Sequence, residues 1–154
     1  MKIILFKFEK EIIHTVACDI KNKTIQLTDK KKVSLTSATS KGQKYALILQ
    51  ELSLLKKHHH FDSFAYQAAQ KYRGSIKDEE SFAHAAMLHL FCEQENIDLI
   101  ELTAPRVREA LNLPSKDFKL RVENEKSRII DLLPITKSDK LLDGLVLLRL
   151  LKLD

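Results

Sequence analysis

Three short runs rich in apolar and β-branched residues open this chain, and the breaks between them are too short for anything but antiparallel pairing. Residues 2–8 (Lys-Ile-Ile-Leu-Phe-Lys-Phe) read as a strand, and Ile12 to Cys18 as a second. Thr24 to Thr28 alternates apolar and polar as a half-buried strand does. Glu9-Lys10-Glu11 and the turn signal Asn22-Lys23 are the connections. A parallel pair needs a crossover of about a dozen residues or more, so these segments predict an antiparallel meander. Lys30-Lys31-Lys32 then leads into Val33-Ser34-Leu35, which follows no clear period.

Beyond the meander the pattern changes to helices alternating with strands. Ser40-Lys41-Gly42 opens a helix over 43–57, with Ala46, Leu47, Leu49, Leu52 and Leu55 near helical spacing. Lys56 and Lys57 fall in its last turn, where cations suit the helix dipole. A strand is predicted over 61–67, a polar loop over 70–78, a helix over 79–95 and a strand over 97–102. Thr103-Ala104-Pro105 starts a short helix running to about Leu111, with Pro at an early helical position. A basic loop, Asn112 to Leu120, precedes a helix over 122–133 that Pro134 stops. Ser138 or Asp139 can cap the last helix, 140–152, which is apolar on most sides and so predicted buried. The order β-β-β-α-β-α-β-α-α-α predicts an α/β fold. Its mixed sheet has about five strands and helices on both faces, with residues 2–8 central and the last helix packed on the sheet.

With no repeat, low-complexity tract or visible boundary, residues 1–154 are expected to form a single domain. No apolar run reaches the ~18 residues that span a bilayer, and the first ten residues are too charged for a signal peptide. Cys18 and Cys92 form no metal or redox spacing and are expected as reduced, buried thiols. These features point to the cytoplasm. The formal net charge is +5, and residues 21–57 hold nine lysines against Asp29 and Glu51. Such a bias suits a polyanionic partner, although a solvated basic face produces the same pattern.

Several stretches, collinear over nearly the whole chain, resemble the RuvC-type Holliday-junction resolvases of the ribonuclease-H-like superfamily. Met1 to Leu5 resembles their opening strand. Asp62-Ser63-Phe64-Ala65-Tyr66-Gln67 resembles the middle strand, which in the family ends on a catalytic glutamate. Glu101-Leu102-Thr103-Ala104-Pro105-Arg106-Val107-Arg108 resembles the segment with a functional Val-Lys pair. Glu125-Lys126-Ser127 resembles a Glu-Lys-Ser stretch with a second functional lysine. Lys137 to Leu148 resembles the closing Asp-x-x-Asp-Ala-Leu helix. The match is thin residue by residue, and its weight lies in order and spacing.

The resemblance implies four carboxylates holding two divalent metals for phosphodiester hydrolysis, a chemistry that needs clustered anionic oxygens. Here the first-strand aspartate position falls on or beside Phe8, and the middle-strand glutamate position is Gln67. Asp143 matches one aspartate of the last helix, while the other falls on Lys140, with Asp139 one residue out of register. Glu9 or Glu11 with Asp139 and Asp143 would be a relocated catalytic set; the plainer reading is ordinary surface acids. Arg108 and Lys126 match the basic functional positions and are candidates to meet phosphate. Lys71-Tyr72-Arg73-Gly74 is a basic-aromatic loop placed to flank the site, with Tyr72 able to stack on an unpaired base. His58-His59-His60 reads as a solvated helix end, and His84 and His89 as structural.

The expected protein is thus a catalytically degenerate RuvC-like chain that binds DNA through a basic face, reading shape rather than sequence. No cofactor is expected. An active structure-specific endonuclease with an altered carboxylate set, using Mg²⁺ or Mn²⁺, is the alternative. A protein-interaction scaffold that keeps only the fold is a third. The family's habit makes a homodimer an open expectation.

Overall fold

The computed structural model describes residues 1–68 and 79–153. Its centre is a five-stranded sheet in the order β3-β2-β1-β4-β5, formed by β1 (Lys2–Phe8), β2 (Ile12–Lys21), β3 (Thr24–Ser34), β4 (Ser63–Gln67) and β5 (Asp98–Leu102). The first three strands pair antiparallel, whereas β1–β4 and β4–β5 pair parallel, so the sheet is mixed. The parallel pairs are bridged by α1 (Lys41–His58) and α2 (Glu79–Glu95); α3 (Ala104–Ala110), α4 (Ser115–Leu132) and α5 (Leu142–Leu153) follow β5. No helix among the described residues is long and apolar enough to cross a membrane.

β1 is central, and its alternation divides the core. Ile3 and Leu5 pack with Leu145, Val146 and Leu148 of α5. Ile4, Phe6 and Phe8 pack on the other face with Ile48 and Leu52 of α1 and Leu88 and Phe91 of α2. Helices therefore cover both faces, and α5 is buried along most of its length, as its sequence demands. Gly144 lets α5 sit close to the sheet: a Cβ there would lie 3.3 Å from a Leu5 methyl and 3.6 Å from the Gln67 Cβ.

Two elements depart from the expected boundaries. β3 runs on through Lys30-Lys31-Lys32 to Ser34, as an edge strand whose exposed side chains leave no apolar alternation to read. Its pairing with β2 shifts register between Thr15 and Ala17, a bulge that falls where Asp29 takes a positive φ of 48°. α4 begins at Ser115, so most of the supposed basic loop is helix. Phe118, the buried residue of that first stretch, continues the stripe of Val122 and Ile129.

Cys18 and Cys92 are both buried free thiols, and burial pushes each pKa up to about 12. His84 is buried against Phe8 and Tyr45. The His89 ring stands 2.8 Å from the Tyr66 hydroxyl. At the end of α1, His59 faces Asp29 at 3.6 Å while His58 and His60 are exposed.

Candidate nucleic-acid interface

β4 ends on Gln67 beneath the start of α5, with α3 and α4 to either side. These elements enclose a cleft of about 580 Å³ that gathers Gln67, Arg108, Lys119, Glu123, Lys126 and Asp143. Thr103 accepts the Arg106 amide and caps α3, which sets the direction of the helix bearing Arg108. α4 is fastened to α5 by Arg149, whose Nε donates to Glu125 in a largely buried ion pair. The next residue, Lys126, then reaches across to Asp143 at 3.1 Å and to Glu123 at 3.6 Å. Burial acts to lower the Lys126 pKa, but the hydrogen bond and charge of Asp143, helped by Glu123, outweigh it and hold the ammonium above its ordinary value. Arg108 has no acid within ion-pair distance among the described residues. Counting side chains, the cleft carries three cations against two acids.

Four expected site residues, Gln67, Arg108, Lys126 and Asp143, thus meet in one place. Three others lie elsewhere. Phe8 points to the opposite face of the sheet, stacked on Phe6 with ring centroids 6.0 Å apart. By strand alternation the residue that shares the face of Leu5 is Lys7. Continuing the Leu5–Ala65 and Phe6–Tyr66 pairing sets Lys7 beside Gln67. The resemblance set the first carboxylate on or beside Phe8, and Lys7 is the neighbour that shares the sheet face of Leu5. Asp139 precedes α5 rather than sharing a helical face with Asp143. One carboxylate oxygen accepts the Leu141 amide at 3.0 Å and the other pairs with Lys30. Glu9 lies between His14 at 2.8 Å and Lys140 at 3.2 Å. The His14 hydrogen bond holds the Glu9 carboxyl below its ordinary pKa; burial opposes this and Lys140 adds to it. Lys71, Tyr72 and Arg73 fall outside the described residues. Of the nine lysines at 21–57, Lys21, Lys30, Lys44 and Lys56 face acids, which leaves the rest of that stretch as its outward charge.

A five-stranded mixed sheet with an antiparallel meander, a central first strand and helices on both faces is the ribonuclease-H-like fold, and its arrangement is that of the Holliday-junction resolvases. Thermus thermophilus RuvC superposes with a TM-score of 0.65 at 14% identity, covering 97% of this chain and 92% of that one. The T. thermophilus RuvC structure in complex with a Holliday junction substrate gives 0.65 at 12% identity, over 97% and 91%. The fowlpox virus Holliday junction resolvase gives 0.54 at 12% identity, over 96% and 94%. No family model and no curated protein sequence matches the chain.

The resemblance implied a pair of divalent cations, and the donors in the cleft do not fit one. Hard cations need several anionic oxygens on a single centre. Gln67 offers a neutral amide, and Asp143 and Glu123 are both engaged by Lys126. Among the described residues no three His, Cys, Asp or Glu side chains are placed to hold a metal ion.

Proposed function

We propose that this chain is a nucleic-acid-binding protein built on a resolvase fold, with the two-metal hydrolytic centre replaced by side-chain cations. The carrying observation is the Lys126 ammonium. It pairs with Asp143 at 3.1 Å and with Glu123 at 3.6 Å in the cleft that also takes in Gln67 and Arg108, so the acids there are already engaged by a side-chain cation. A metal centre binds the scissile phosphate through positive charge; Lys126, Arg108 and Lys119 supply such charge without the Lewis acid needed to activate water. The likeness to a resolvase captured on a Holliday junction supports branched DNA as the first substrate to try. Recognition in this reading rests on the shape and charge of the backbone, met by Arg108, Lys119 and Lys126.

The test is a fluorescence-anisotropy titration of junction, duplex and single-stranded DNA at ~50 and ~200 mM salt. Phosphate-driven affinity on duplex falls with a log–log slope of about −0.9 per phosphate neutralised. Replacing Arg108 and Lys126 together by Ala should weaken binding to every sequence and flatten the slope by about two. Micromolar protein that binds none of the three at the lower salt would refute the proposal and favour a protein-interaction role.

A further inference from the structure

A second basic groove lies at the β3 edge of the sheet. β3 and the segment 136–140 enclose about 410 Å³ lined by Lys30, Lys31, Lys32, Lys140, Thr136 and Ser138, with His14 and Asp139 completing the wall. Four lysines thus face one lining acid, and no apolar side chain takes part. Two ion pairs fix the groove: Lys30 joins β3 to Asp139, and Lys140 reaches Glu9, just beyond β1, at 3.2 Å. Lys31 and Lys32 are exposed and enter no ion pair among the described residues, so they stand as its uncompensated charge.

Strand register ties this groove to the cleft. Lys7 pairs with His14 and His14 with Lys32, and partners across a ladder share a face. Lys7 in turn lies beside Gln67 on the face that carries α5. One row, Gln67–Lys7–His14–Lys32, therefore crosses the sheet from the cleft to the β3 edge. Lys140 lines the groove and Asp143 the cleft, so the start of α5 stands between the two. Neighbouring strands lie ~4.8 Å apart, so the three steps from β4 to β3 span about 14 Å. A duplex strand advances ~3.4 Å per nucleotide, which makes that span roughly four nucleotides of backbone. An acyl or aromatic ligand has nothing to pack on in the groove, and one small anion meets only one of the two basic clusters. An extended polyanion meets both.

We infer that bound nucleic acid follows this row, with one stretch of backbone in the cleft on Arg108 and Lys126 and a second, about four nucleotides on, in the β3 groove on Lys31 and Lys32. This rests on the reading above and gives the lysines of an open edge strand a task besides guarding it.

The test titrates a labelled four-way junction with the full chain at ~50 and ~200 mM salt, comparing wild type, Lys31→Ala with Lys32→Ala, Arg108→Ala with Lys126→Ala, and all four together. Losing two phosphate contacts flattens the log–log slope by about two, so the β3 pair should cost roughly tenfold more affinity at ~50 than at ~200 mM. All four substitutions should flatten it by about four, since separated contacts on one ligand add. Lys31→Gln with Lys32→Gln keeps the edge polar and replaces the Ala pair if light scattering shows that pair to aggregate. Binding unchanged in the β3 variants but weakened in the cleft pair would overturn the inference and leave the phosphate reading standing. Weakening from the β3 pair alone would overturn both. Poly-glutamate that displaces the junction as readily as unlabelled duplex of equal charge would assign the groove to an acidic protein and overturn the inference. Wild type that binds no junction at the lower salt would refute both readings.

Discussion

Replacing Glu125 by Leu should destabilise the protein far more than its place on a charged helix suggests. Glu125 and Arg149 join α4 to α5, and their side chains are 14% and 9% exposed. Removing the acid leaves a guanidinium buried at the α4–α5 contact without its counter-charge, a class of change that costs about 3–5 kcal/mol. With a total stability on the order of 5–15 kcal/mol, that is about a fifth of the whole or more. At roughly 2–4 °C per kcal/mol for a chain of this size, the melting temperature should fall by about 6–20 °C. Arg149→Met should cost less, about 1–3 kcal/mol, because the more exposed Glu125 can turn towards water. Replacing both by Leu and Met should return stability to within about 1 kcal/mol of wild type, since a well-packed apolar pair substitutes for a buried ion pair. Urea melts followed by far-UV circular dichroism suit a chain with no Trp and three Tyr. A Glu125→Leu cost below about 1 kcal/mol, or a double variant no more stable than Glu125→Leu, would refute the reasoning, because no buried charge would then have been stranded.

Incubation of branched, duplex and single-stranded DNA with Mg²⁺ or Mn²⁺ should leave all three uncut, and Gln67→Glu alone should not create cleavage, because one added ligand cannot rebuild a two-metal site. Cleavage abolished by Asp143→Asn would overturn this. Glu9 is held below its usual pKa of 4.5 by His14 and Lys140, so its contribution is present above 4.5 and lost as pH falls through the lowered value. The melting-temperature gap between wild type and Glu9→Gln should therefore close on acidification below pH 4.5; a gap that stays constant would contradict the assignment. Cys18 and Cys92, with thiol pKa values pushed up to about 12 by burial, should resist alkylation in the native protein at pH 8 and react on unfolding. Labelling detected by mass spectrometry before unfolding would show that they are reached from solvent.

What was legible in the sequence was whatever local pattern determines. The three opening strands, α2 and the buried α5 each carry their own periodicity, and their order limits the sheet to few arrangements. The lysines of β3 were not read as strand because an edge strand open to water needs no alternation and is commonly guarded by Lys. The start of α4 was hidden by Lys116, Lys119 and Arg121, although Phe118-Val122-Glu125-Ile129 follows helical spacing. At the site, collinearity located Gln67, Arg108, Lys126 and Asp143, since each sits at a fixed place in its element. It could not show that Lys30 folds onto Asp139, or His14 and Lys140 onto Glu9, contacts that depend on the bulge and on the turn before α5.

The proposal that side-chain cations, without a metal, bind phosphate in this cleft is the central one, and junction binding with and without divalent ions tests it most directly. Anisotropy titrations of a labelled four-way junction should be run at ~50 mM monovalent salt, once with EDTA and once with Mg²⁺, on wild type and on Lys126→Ala. The account predicts binding in EDTA, a modest weakening by Mg²⁺ through counterion competition, and weaker binding in both conditions for Lys126→Ala. Binding that requires Mg²⁺, or that Lys126→Ala leaves unchanged in EDTA, would contradict it.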